Sequence, residues 1–408
     1  MKLAVITSGF LPVPASKGGA VETLLMNLLL ENEGETDLEF NIFSIYDEKA
    51  IEDSKKYRKA NFIFIKPLKI IEKIDKIVFL IAKNIFKKSN SQSYRFIFQR
   101  LYFLNKISQN LKKNDYDKVL LENHPTQYLA LKWRKNYKKY QNRYYYHCHN
   151  EFVGTYGCES IIKNTKKMIC VSNFIKNSLE KKLEIDKDKC VVLRNGIDTK
   201  KFSITIDEIE KQKIKKKYNI NDDDKILLFT GRIIKEKGIK ELLEALSKVQ
   251  IKNLKLLVVG SSLNNINVKT KYEIEIEELV KKINKNVIFT GFVEYKEIYK
   301  LYAIADIAVL PSIWDDPAPL TIIESMAAGL PIITTNSGGI PEYANNKCAF
   351  IIDRNSELIY NLSKTIENLI KNEGLRGKMS EESKNTSENL TKIEYYKNFV
   401  KELFESEK

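Results

Sequence analysis

The stretch Lys225-Ile226-Leu227-Leu228-Phe229-Thr230-Gly231-Arg232, followed by Lys237-Gly238, decides how this chain folds. An apolar run rich in β-formers reads as a buried strand. The glycine and cation behind it, and a second cation–glycine pair opening an apolar-periodic segment at 238–249, read as one βα unit of a parallel sheet. Anions bind at the carboxyl edge of such sheets, so Arg232 and Lys237 stand where a phosphate would lie. Lys237 also has a plain reading as one lysine among many at a solvated helix start.

Working outward, the alternation continues. Strand-like runs at 254–259, 286–290, 306–310 and 331–334 are separated by helical patterns at 272–283, 295–305 and 320–328. Towards the N-terminus, strand-like runs fall at 3–7, 40–45, 61–65, 118–121, 143–146, 168–171 and 191–193, with a helix at about 19–30. A lysine-rich polar stretch at 199–224 separates the two series. Strands alternating with helices imply an open parallel sheet covered on both faces, here twice. The expected fold is α/β with two Rossmann-like domains facing a central cleft. The expected divisions are residues 1–198, 199–385 and a C-terminal helix within 386–408 that follows a charged linker and packs back on the first domain.

A length of 408 residues fits two or three packing units. The N-terminus reads as a buried strand rather than a signal peptide, and the longest uncharged apolar run near the middle of the first half, 77–82, is far short of the ~20 residues a membrane span needs. A cytoplasmic protein is expected. Five cysteines without CxxC spacing predict buried, reduced thiols and no zinc site. The net charge of +15 is compatible with phosphorylated substrate, anionic lipid or nucleic acid, but no aromatic-interleaved basic motif supports the last.

The segment from Pro311 to Pro331 is the most informative. Pro317 and Pro319 lead into a helix that Gly329 ends, so the amides of Leu320, Thr321 and Ile322 are expected to be unpaired and able to hold an anion. Glu324 falls about one turn inside, placed for the hydroxyls of a ribose rather than for a phosphate. Asp315 and Asp316 read first as helix caps.

Asp316 and Glu324 are separated by seven residues, and with Val171-Ser172-Asn173-Phe174, Arg194-Asn195-Gly196-Ile197-Asp198, Gly231-Arg232, Lys237-Gly238 and Ser337-Gly338-Gly339-Ile340-Pro341-Glu342 the chain resembles the GT-B glycosyltransferases of family 4. Gly18 and Gly19 resemble that family's glycine loop. The resemblance implies a retaining transfer of a hexose from a nucleotide-diphosphate donor, UDP-sugar first among the candidates, to a polysaccharide or lipid-linked glycan precursor. It implies that Arg232 and Lys237 neutralise the departing diphosphate, Glu324 holds the ribose, Asp316, in place of the usual Glu, meets the sugar, and Gly260, Phe292 and Val293 flank the base. Asn195 belongs to its hinge approach, about which the two domains would close. The family's sugar-facing histidine matches His149, with His147 as rival. No cofactor or metal is expected; Asp186-Lys187-Asp188 has a metal-binding form but lies in a lysine-rich turn. A catalytically silent partner subunit is the alternative. A nucleotide-sugar epimerase would need further acid/base carboxylates in the first domain.

One segment stands outside this pattern. Residues 69–88 place Ile70, Ile71, Ile74, Ile77, Val78, Ile81 and Ile85 on one helical stripe, with lysines largely elsewhere. A core helix with a solvated back is the first reading, and a helix lying on anionic lipid is the second.

Overall fold

The computed structural model describes residues 1–34, 38–84, 96–260, 270–283 and 286–404. It divides into two compact units, residues 1–193 with 399–408, and residues 194–398.

The first unit carries β1 (Lys2–Ile6), β2 (Glu39–Ile45), β3 (Ala60–Ile65), β4 (Lys118–Glu122), β5 (Tyr144–Cys148), β6 (Lys167–Cys170) and β7 (Cys190–Val192) in the order β3-β2-β1-β4-β5-β6-β7. The second carries β8 (Lys225–Thr230), β9 (Leu254–Val259), β10 (Asn286–Gly291), β11 (Ile307–Leu310), β12 (Ile332–Thr335) and β13 (Ala349–Ile352) in the order β10-β9-β8-β11-β12-β13. Every pairing is parallel. The inner strands of each sheet are buried on both faces, as their continuous apolar runs require, and the edge strands β3, β7, β10 and β13 are partly exposed. In each sheet the order reverses beside the first strand, so a ligand crevice opens past the carboxyl ends of β1 and β4, and another past those of β8 and β11. This is the two-domain α/β architecture of the GT-B fold.

Three local expectations are corrected. The supposed linker before the last helix is itself the helix Glu373–Ser387. Its apolar stripe is short because serines continue the contact face that Leu375 and Met379 begin: Ser383 and Ser387 are buried, and the Ser383 hydroxyl donates to the Leu330 carbonyl at 2.8 Å. The helical pattern at 295–305 is realised only over Tyr299–Ala303. The isoleucine stripe is not core: in the helix Lys69–Asn84, Ile70 is 65% and Ile77 57% exposed, while Asp75 is buried. The part of that stripe beyond residue 84, with Ile85, Lys87 and Lys88, lies outside the described residues. All five cysteines are buried and free, and among the described residues no helix is long and apolar enough to cross a membrane.

Candidate functional site

In the second unit, two backbone crossings build the crevice between β8 and β11. Gly238 adopts φ 70°, and a Cβ there would drive into the Pro311 carbonyl. Only glycine permits both that dihedral and that approach. The crossing puts Lys237 beside the loop after β11, where its Nζ pairs with Asp316 Oδ2 at 2.5 Å. The second crossing is at Gly338, φ 53°, against the backbone of Asp315 and Asp316, and the Gly339 amide donates to the Asp316 carbonyl at 2.9 Å. Asp316 is thus held from both sides and is 7% exposed.

Neither aspartate caps the following helix, Leu320–Ala327, whose N-cap is Pro319. Asp315 instead accepts from the Gly338 amide at 3.1 Å and pairs with Arg354. Of the three expected free amides, Ile322 donates to the Pro319 carbonyl at 3.2 Å. Leu320 and Thr321 keep theirs unpaired among the described residues, so the start of the helix leaves two amides, not three, able to hold an anion. A cleft lined by Thr230, Lys237, Ser312, Asp316, Pro319 and Thr321 lies in front of it. Arg232, exposed at the end of β8, makes no ion pair among the described residues.

Glu324 lies deeper, 3% exposed. Tyr302 donates to its Oε2 at 2.7 Å and is itself bonded to Thr230 at 2.8 Å. Burial pushes the Glu324 carboxyl above its ordinary range, against hydrogen bonds from Tyr302 and Tyr295. Asn195 is a positioning residue here: its Nδ2 donates to the Ala318 carbonyl at 3.1 Å, and its amide donates to the Tyr343 hydroxyl at 3.0 Å. Gly260, φ 135°, follows β9 with its amide on the Gly291 carbonyl, and Phe292 and Val293 follow β10, Phe292 exposed.

The first unit's crevice is acidic and imidazole-lined. His147, on β5, and His149, just after it, share a face as the period of two requires, and both reach Glu122 at the end of β4: His147 Nδ1 to Oε1 and His149 Nε2 to Oε2, each 3.2 Å. Burial would raise Glu122, but the imidazole of His147, then that of His149, outweigh it and hold the carboxyl at about 2. Burial, then the charge of His147, lowers His149 to about 4. The donor atoms of these three lie within 4.8 Å of one another, the one such group among the described residues with the spacing to hold a metal ion. Gly18 and Gly19, φ 74° and 115°, shape the loop after β1, and a Cβ on Gly19 would strike the Glu22 carboxylate.

Sequence reasoning passed over Glu22, which follows closely on Gly18 and Gly19. It is buried, near the Ser8 hydroxyl at 3.4 Å, and burial lifts its carboxyl to about 7. It also passed over Arg100, whose Nε donates to Thr126 at 2.7 Å beneath the ring of Phe10. Glu122, Glu22 and Arg100 sit in ordinary strand or helix patterns, and no local motif marks them. Asp186 caps its own turn, accepting from the Asp188 amide at 3.0 Å.

The family described as "Glycosyl transferases group 1" matches residues 210–386, and "Glycosyltransferase Family 4" matches residues 81–201. An uncharacterized glycosyltransferase of Methanocaldococcus jannaschii is 31% identical over 47% of this chain, and that match spans only 46% of the relative. The putative glycosyltransferase YtcC of Bacillus subtilis is 23% identical over 96% of this chain and 88% of its own. A Salmonella typhimurium lipopolysaccharide 1,2-N-acetylglucosaminetransferase is 28% identical over 48% of this chain and 50% of its own. Among solved structures, Anabaena HepE, determined with UDP and glucose, superposes with a TM-score of 0.74 at 14% identity over 99% of both chains.

Proposed function

We propose a donor and a reaction from one premise: the chain belongs to the glycosyltransferases of group 1 and family 4. It transfers a hexose from a nucleoside-diphosphate donor, with retention at the anomeric carbon, to a cell-surface polysaccharide or lipid-linked glycan precursor. The observation that carries this is one cleft lined by Lys237 and by Thr321 at the unpaired start of its helix, with Arg232 following the adjoining strand β8. As the bond from the anomeric carbon to the diphosphate breaks, negative charge grows on the leaving phosphate, and the acceptor oxygen bonds to that carbon while its hydroxyl proton passes to the departing phosphate oxygen. Fixed cations and amides stabilise that charge without reorganising. These groups supply the positive charge, and no resident metal or cofactor is invoked.

Asp316 orients the Lys237 ammonium and turns its second oxygen to a sugar hydroxyl. Glu324 takes the ribose hydroxyls in place of the Tyr295 hydroxyl, while Tyr302 keeps hold of Oε2. Gly260, Phe292 and Val293 border the base. In the first unit, Glu122 fixes His149 for a hydrogen bond to a sugar hydroxyl. The UDP and glucose found with the Anabaena protein favour UDP-sugars as the first donors to try. The matched lipopolysaccharide enzyme favours a polysaccharide acceptor.

The test is donor turnover by the purified chain. Arg232→Ala and Glu324→Ala should each lower it at least ~10²-fold, and near-normal turnover in both overturns these roles. Thermal shifts against UDP-, GDP- and dTDP-sugars identify the donor.

A further inference from the structure

The helix Lys69–Asn84 is amphipathic the wrong way round for a core helix. Among its described side chains the one buried residue is an acid, Asp75, at 1% exposure, while Ile70, Ile74, Ile77 and Ile81 stand 65%, 40%, 57% and 39% exposed. At 100° per residue these four isoleucines fall within a narrow arc, and Asp75 lies roughly a quarter-turn or more away from them.

This exposure is not slack packing. Both Asp75 oxygens are engaged at the start of the next helix, Ile97–Lys113, accepting from the amides of Phe98 and Gln99 at 2.9 Å each. A carboxylate on the first turn of a helix is a strong tether. It fixes the pair so that Phe98 and Leu101, 42% and 37% exposed, continue the apolar face across the second helix. Between the two helices runs a groove of about 580 Å³, lined by Ile71, Ile74, Phe98 and Leu101 and closed by Trp133 and Arg134.

Lysine flanks the apolar arc. Lys69, Lys73 and Lys76 are exposed on the side of the helix away from Asp75. Across the groove, Arg134 and Lys135 both adopt left-handed backbone, φ 56° and 55°, which turns two exposed cations out beside the half-buried Trp133. An apolar stripe bordered by cations, with a tryptophan at its margin, matches the chemistry of a bilayer's headgroup boundary.

We propose that this helix pair is a docking surface for an anionic lipid bilayer. The isoleucines enter the acyl boundary and the cations meet the phosphates. Helix Ile97–Lys113 also carries Arg100, buried beside Phe10 and Thr126 near the crevice past β1 and β4, so successive residues Arg100 and Leu101 face the crevice and the docking face respectively. An acceptor anchored in the same bilayer would thereby be brought near that crevice.

Flotation of the full chain with phosphatidylcholine vesicles, with and without phosphatidylglycerol, tests this. Binding should require phosphatidylglycerol and fall as salt rises. The exposed pair Ile70→Glu and Ile77→Glu should cut vesicle partitioning at least ~10-fold with an unchanged melting temperature. Lys73→Gln and Lys76→Gln should each cost about fivefold. Equal flotation with both vesicles, none with either, or retention of binding by the glutamate variant overturns the proposal. So does a concentration-dependent dimer that Ile77→Glu dissociates in a chain that ignores vesicles, because the face would then belong to a second copy. No donor enters the assay, so its failure leaves the transferase reading untouched, and donor turnover by the glutamate variant in solution should match the parent chain.

Discussion

The two crevices occupy the same place in sheets of the same winding, yet their chemistry is opposite. Past β8 and β11 stand Arg232, Lys237 and two free amides; past β1 and β4 stand Glu22, Glu122, His147 and His149. The winding decides where a crevice opens, and a handful of side chains decides whether its lining is cationic or acidic. Glu22 makes the point sharply. A carboxyl held near 7 would be out of place beside Lys237, which would pull it down, and it persists in the first unit because burial dominates there.

The strongest way to break this contrast is to destroy one crevice and leave the other. Gly238→Ala sets a Cβ into the Pro311 carbonyl at a left-handed dihedral, and it should cost about 4 kcal/mol or more of stability in the second unit. Two separated calorimetric transitions would show it, with only one displaced. Glu22→Gln probes the other crevice. Its folded carboxyl titrates near 7 and its unfolded one near 4.5, so the folded state binds the extra proton between those values. Stability is therefore full below about 4.5 and lost as pH rises towards 7, by about 3 kcal/mol at most. The variant should flatten the decline of melting temperature between pH 5 and pH 8, and an unchanged slope would exclude Glu22 as its source. Lys237→Ala should then lower donor turnover ~10²-fold without changing that slope, which separates the cationic crevice from the acidic one. The smallest change is Asp316→Asn. It releases Lys237 from its ion pair while keeping shape, and should weaken turnover about tenfold, most of it as a raised KM for the sugar-bearing donor, while the Kd of the free nucleotide changes less.

Legibility in the sequence follows from how each element is stabilised. Strands β1 to β12 are visible because their apolar runs are continuous, and all but the edge strands β3, β7 and β10 are largely buried. Strand β13, four residues at the sheet edge, is missed because only the four-residue helix Ile340–Tyr343 separates it from β12, so the alternation with full helical patterns breaks off there. The helix Glu373–Ser387 is hidden because its contact face turns from Leu375 and Met379 to Ser383 and Ser387, which leaves too few apolar residues for a period to show. At the site, Lys237 and Asp316 are legible singly, but their ion pair is not, since it depends on two backbone segments 79 residues apart crossing at a glycine. The exposed isoleucine stripe shows the reverse failure. Periodicity finds an apolar face but does not say whether protein covers it.

The helix Lys392–Phe404 is shared between the units, its residues from Phe399 onward belonging with the first. Phe399 and Leu403 are fully buried there, Phe399 6.2 Å from the His147 ring, and Lys167 grips Glu402 at 2.7 Å. During synthesis the first unit therefore waits until the residues from Phe399 onward have left the ribosome, after the whole second unit has been made, so the unit begun first is completed after the other.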